Sequence, residues 1–329
     1  MNAKPFYFCI IMSYCGEMEN YADRLISAIK KKGNPCIVGL DPRLDQMPEF
    51  AIMEGKSTED KVEAVRRSIF AYHRSIIDAV HDVVPGVKLQ SAFYEQYGIG
   101  GHLAFMDTVK YAKEHSLVVI IDAKRNDISS TAEAYANAFL GASVFFGEKK
   151  PVVDADCITV SPYLGRDSLE PFVKTCKSYG KGIFVLVKTS NPGSSDLQNL
   201  KMADGKELYI HVAEMVNMYS TDLVGESGYS SVGAVVGATF PEEARLIRRL
   251  MPKSIFLVPG YGAQGGTAAG AAECFNNDGY GAVVNASRSI TYELSSAGIS
   301  REDAMREIRE KAKLMAEDIN SAVAAKIKR

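Results

Sequence analysis

Eight short apolar runs, each separated from the next by room for a helix, limit what this chain can fold into. They fall at 36–41, 86–90, 117–122, 157–160, 182–188, 231–237, 254–260 and 281–287. Each is rich in Val and Ile and apolar on both faces, the pattern of a parallel strand covered by helices. Amphipathic periodicity occupies 60–82, 102–115, 129–141, 167–179, 206–219, 241–250 and 265–277, so the crossovers hold the helices that parallel neighbours need. A last helix is expected over 301–328. Eight strand–helix units are the count of a closed (β/α)8 barrel. The rival, an open doubly wound sheet, ordinarily carries a glycine-rich fingerprint after its first strand. Here that strand runs into Gly39-Leu40-Asp41-Pro42-Arg43, with no such loop. The expectation is an α/β fold, a closed (β/α)8 TIM barrel with additional N- and C-terminal helices, forming a single domain over 1–329. Two inserts stand out, 42–58 and 190–207. The second starts at Ser190, contains Gly193 and Gly205, and reads as part of a lid.

The bulk numbers exclude several classes of function. A net charge of −2 gives no electrostatic case for nucleic acid or a membrane surface. Six scattered cysteines without a C-x-x-C pair argue against a zinc site and a disulfide framework, and suit a reducing cytoplasm. No apolar run reaches the length of a bilayer span. The run Phe6–Met12 imitates a signal peptide, yet it lacks a small-residue cleavage pattern. Residues 1–17 are therefore expected to be an extension ahead of Met18, disordered or packed on the outside.

The active site of such a barrel lies at the C-terminal ends of its strands. The polar residues there are Asp41, Lys88, Asp122 with Lys124, Ser161, Lys188 with Ser190, Gly260–Gln264 and Arg288. Any one of them alone reads as a cap or a loop charge. Together they make a mixed-charge rim that a solvated face does not need. Asp122 ends an apolar strand, so its carboxylate must be paired. Lys88 on the neighbouring strand and Lys124 two residues on supply the positive charge. Asp127 falls at the start of the next helix, where its bland role is an N-cap, and Thr131 follows four residues later. The glycine-rich turn Pro259-Gly260-Tyr261-Gly262-Ala263-Gln264-Gly265, followed by Arg288 after the eighth strand, fits a phosphate grip. The five histidines lie in helical segments and receive no catalytic role.

The run Asp122-Ala123-Lys124-Arg125-Asn126-Asp127-Ile128 resembles the D-x-K-x-x-D-I signature of the orotidine 5′-phosphate decarboxylase family. The motifs GLDPR, KLQSAFYEQYG, VKTSNPGS, PGYGAQGG and ASRSI resemble that family's other strand-end motifs in the same order, from Cys36 to Ile290, most closely in its longer bacterial-type subgroup. The resemblance implies decarboxylation of orotidine 5′-monophosphate to uridine 5′-monophosphate and CO2, without metal or organic cofactor. It implies a charge network of Lys88, Asp122, Lys124 and Asp127, with Lys124 as proton donor. It also implies a homodimer in which Asp127 and Thr131 enter the partner's site. Asp41, Lys88 and Thr131 would hold the ribose, and Ser190 the pyrimidine. Gln264, Arg288 and backbone N–H groups at Ser287 and Gly262 would take the phosphate. Ser287 departs from the glycine many relatives carry, which matters if that position needs glycine's freedom. The alternatives are a Mg2+-dependent phosphosugar decarboxylase or aldolase of the same barrel superfamily, which has an acid in place of Lys88, and a non-catalytic nucleotide-binding barrel.

Overall fold

A computed structural model describes residues 18–262 and 265–328. The expected extension 1–17 and Gln264 lie outside the described residues. Eight parallel strands close into a barrel: Cys36–Leu40, Gly86–Gln90, Val118–Arg125, Cys157–Val160, Gly182–Lys188, Ser230–Val236, Ser254–Val258 and Ala282–Ala286. The first pairs with the last, Cys36 opposite Val284, which completes the ring. The eight runs expected from the sequence are these strands, with ends shifted by up to three residues.

Two apolar layers hold the barrel. Outward-facing residues such as Val38, Val87, Val119 and Val284 pack under the surrounding helices. Inward-facing Ile37, Ile120, Phe184, Ile255 and Leu257 fill the interior. Helix Tyr21–Lys32 joins the second set through Tyr21, Leu25 and Ile29 and lies across the end where the strands begin. Asn20 caps it by accepting from Ala22 N at 2.8 Å, and Gly33 ends it at φ 70°. Arg24 anchors it to Asp156 and to the carbonyl of Gly180, both just ahead of barrel strands. Among the described residues, no helix is long and apolar enough to cross a membrane.

The sequence reading misses a hairpin, Ser143–Phe145 with Glu148–Lys150, between the third and fourth barrel strands. It is too short and too exposed to show alternation, and Gly147 at φ 91° makes its turn. The helix expected over 265–277 contracts to Ala268–Ala272, because the glycines ahead of it form a loop instead. The insert after the first strand holds a helix, Glu49–Lys56.

His73, in helix Lys61–Val80, is fully buried, with Nδ1 at 2.9 Å from the Tyr94 hydroxyl and Nε2 without a hydrogen-bond partner. Burial pushes its pKa from 6.5 down to about 3. Between those values the unfolded chain binds a proton that the folded chain refuses. Stability is therefore complete above the unfolded value and falls as pH drops, by up to about 1.4 kcal/mol per unit. The urea midpoint is expected to slide downward between about pH 6.5 and about pH 5, and less steeply in His73→Gln. Equal slopes in the two proteins would exonerate His73.

Candidate active site

Strand alternation sends Lys88 and Gln90 of the second strand, Asp122 and Lys124 of the third, and Thr159 of the fourth toward the barrel interior. They meet on one carboxylate. Asp122 Oδ2 accepts from Lys88 Nζ at 3.1 Å and from Gln90 Nε2 at 3.0 Å. Its Oδ1 accepts from Lys124 Nζ at 2.7 Å and from the Thr159 hydroxyl at 2.8 Å. Four donors saturate the lone-pair sites of an ionised carboxylate. Burial raises the Asp122 pKa, but the fields of Lys88 and Lys124 and the bonds from Lys124 and Thr159 outweigh it, holding the group well below the usual carboxylate range. Burial opposes the charge on Lys88 in turn, and the charges of Asp122 and Asp41 overcome it, so its pKa is raised.

The side chain of Lys88 is 5% exposed and that of Asp122 13%, whereas that of Lys124 is 45% exposed. Two groups form a buried base, and the third ammonium stands on it facing the cavity. The backbone is bent to make this happen. The pairing of the third and fourth strands breaks register between Ile121 and Arg125, and Lys124 sits at φ 48°, a left-handed conformation that a side chain adopts at a cost. Its N–H donates to Thr159 Oγ1 at 3.0 Å. Local strain of this kind collects where a side chain must be aimed.

The cavity above, of about 640 Å3, is lined by Asp41, Arg43, Lys88, Gln90, Asp122, Lys124, Ser190, Ser287 and Arg288, among others. Of the residues expected at the site, Asp41, Lys88, Asp122, Lys124, Ser190, Ser287 and Arg288 come together there. Ser287 has φ −120°, open to serine, and its side chain fills the space beside Gly39, where a Cβ would fall 1.8 Å from the hydroxyl oxygen. Gly262, at φ 71°, stands beside Ser289 at the rim; its N–H donates to the carbonyl of Gly266 at 3.0 Å, so a phosphate contact from it requires that bond to open.

Three expectations change. Asp127 is not the N-cap: helix Ser129–Phe139 starts two residues later, with Ile128 at the cap position, and the Asp127 carboxylate accepts from the Ile128 N–H at 2.8 Å. Neither Asp127 nor the exposed Thr131 lines this chain's own cavity. Ser161 stays outside it as well. Lys188 leaves the rim altogether. A bulge between Leu186 and Lys188 turns it to the other face of its strand, where it is 1% exposed. There it donates to Asn199 Oδ1 at 2.6 Å and to Ser194 Oγ at 3.2 Å, 4.4 Å from the centre of the Phe240 ring.

Those bonds pin the 190–207 insert to the barrel. Gln198 adds two more, accepting from Thr189 N at 3.0 Å and donating to Thr189 Oγ1 at 2.8 Å. Thr189, Ser190, Asn191 and Gln198 thereby form one wall of the cavity. Sequence reasoning missed Gln90, Thr159, Arg43 and Gln198. Counting by two along the strands from Lys88 and from Cys157 finds the first two; the others need the loop conformation. Among the described residues no cluster of three or more His, Cys, Asp or Glu side chains is arranged to hold a metal ion.

Comparison with known proteins gives a consistent answer. Residues 37–300 match the model of the orotidine 5′-phosphate decarboxylase / HUMPS family. The chain is 46% identical over 276 residues to an orotidine 5′-phosphate decarboxylase of Caldicellulosiruptor bescii, covering 84% of this chain and 90% of that one. It is 47% identical over 275 residues to the enzyme of that name from Rhodopirellula baltica, covering 84% and 89%. The solved structure of Leishmania donovani OMP decarboxylase superposes with a TM-score of 0.68 at 31% identity, covering 93% of this chain and 99% of that one.

Proposed function

Because the chain belongs to the orotidine 5′-phosphate decarboxylase / HUMPS family, we infer that it converts orotidine 5′-monophosphate to uridine 5′-monophosphate and CO2, the last step of UMP synthesis. The observation that carries the reading is the Lys88–Asp122–Lys124 array at the floor of a cavity rimmed by Arg288.

In this reading the phosphate binds Arg288 and backbone N–H groups at Ser287 and Gly262, with Gln264 closing over it. Asp41 and Lys88 hold ribose hydroxyls, and Ser190 meets the pyrimidine. The carboxylate at C6 then lies against Asp122, and Lys124 lies against C6. The C6–carboxylate bond breaks with its electron pair left on C6. The Lys124 ammonium stabilises that charge and transfers its proton to the carbon, after which solvent reprotonates the amine. Four donors keep Asp122 ionised, so the ammonium stays charged until the carbanion forms. A barrier reduction of roughly 20 kcal/mol, toward the upper end for enzymes, exceeds what one ion pair supplies. Phosphate binding contributes the rest by driving closure and excluding water.

We propose a homodimer in which Asp127 and Thr131 act in the neighbouring site. The reading is supported by their position outside this chain's cavity and by the apolar Ile128, exposed beside Asp127. We also propose one domain, working in the cytoplasm; the four described cysteines are buried free thiols, which suits a reducing compartment. The Mg2+-dependent alternative needs an acid where Lys88 stands, and a lysine there repels a cation. Loss of the orotidine chromophore, followed with and without EDTA, tests the proposal. Turnover unaffected by EDTA is expected; turnover restored only by Mg2+, or none at all, would refute it.

A further inference from the structure

One polar side chain in the barrel interior is left over by this mechanism. Asn285, on the eighth strand, is 9% exposed and lines the cavity, and its Oδ1 is buried without a hydrogen-bond partner. A buried amide oxygen in that state costs stability, and an apolar residue of the same shape would remove the cost. The strand registers bring Lys88, Thr159, Val235 and Asn285 into one inward layer, contributed by the second, fourth, sixth and eighth strands. Asn285 thus stands at the level of the charge network, separated from Lys88 by the first strand. That strand presents Gly39 there, and the Ser287 side chain occupies the space beside it.

Resting on the decarboxylase reading, the geometry has a direct consequence. The phosphate grip, Arg288, is three residues beyond Asn285, just past the end of that strand. The ribose-holding Asp41 ends the neighbouring first strand, and its Oδ1 is also buried without a partner. Both side chains line the cavity, and a ribose between them offers two hydroxyl donors. We propose that Asn285 is a ribose-binding residue whose side-chain amide, turned over so that its unpartnered oxygen faces the cavity, accepts a hydrogen bond from the 2′- or 3′-hydroxyl of the bound nucleotide.

Calorimetric titration of the native protein and of Asn285→Leu with UMP, 2′-deoxy-UMP and 3′-deoxy-UMP tests this. The variant is expected to bind UMP about tenfold more weakly, the loss of roughly one buried hydrogen bond. The analogue lacking the hydroxyl that Asn285 holds should bind both proteins alike, which tells the two hydroxyls apart. The Tm of the variant is expected to equal or exceed that of the native protein. Asn285→Val serves the same test if leucine overfills the site. An equal loss for all three nucleotides, or no loss, would overturn the role of Asn285 and leave the decarboxylase reading standing. Failure of the native protein to bind UMP would instead sink that reading.

Discussion

Lys124→Ala is expected to turn over orotidine 5′-monophosphate at least about four orders of magnitude more slowly than the native enzyme while still binding UMP. Two contributions vanish together: a charge aimed at the developing carbanion, typically worth about 10^2 to 10^3 in rate, and a proton donor, worth about 10^2 to 10^4. The side chain is 45% exposed and the residue holds a left-handed φ of 48°, so its loss removes no core packing and the protein should fold as before. Single-turnover measurement of kcat alongside UMP binding separates the two effects. Turnover within tenfold of the native rate would remove Lys124 from the chemistry.

Asp122→Asn is expected to strike both activity and stability. The native carboxylate neutralises Lys88 at 3.1 Å and Lys124 at 2.7 Å. Without it Lys88 remains a buried charge facing a second cation, and removing one partner of a buried pair costs about 3 kcal/mol or more. The rate is expected to fall by roughly three orders of magnitude, because the carboxylate that holds the Lys124 ammonium in place at 2.7 Å is gone. The sign follows from the native shift. Asp122 and Asp41 raise the pKa of Lys88 against burial, so removing the larger of the two fields lowers it. The alkaline limb of the residual kcat profile should accordingly move to lower pH. An alkaline limb at the native position, with an unchanged urea midpoint, would show that Asp122 does not hold these charges.

The barrel was legible because its strands are buried on both faces. That burial writes continuous Val- and Ile-rich runs, and eight of them with helical spacers admit few closures. The charge network was legible for a related reason, since an acid such as Asp122 at the end of an apolar strand demands a partner. What escaped depends on departures from regular geometry. The single extra residue that turns Lys188 away from the rim leaves no mark on composition. Neither does the register break that aims Lys124. Asp127 resembled a cap because its residue type suits one, but the helix begins after Ile128, and only backbone conformation decides that. Gln90 and Thr159 were hidden by their ordinariness: an amide and a hydroxyl at the right parity become part of the site only once the strands are paired.

The helix Tyr21–Lys32, with Tyr21, Leu25 and Ile29 packed into the barrel interior, has a consequence for traffic. It closes the foot of the barrel over an interior already filled by inward-facing side chains, so the described cavity opens at the strand ends that carry Arg288. Nucleotide entry, CO2 escape and UMP departure share that opening. While the nucleotide fills the cavity, gas formed at its bottom has to pass alongside it.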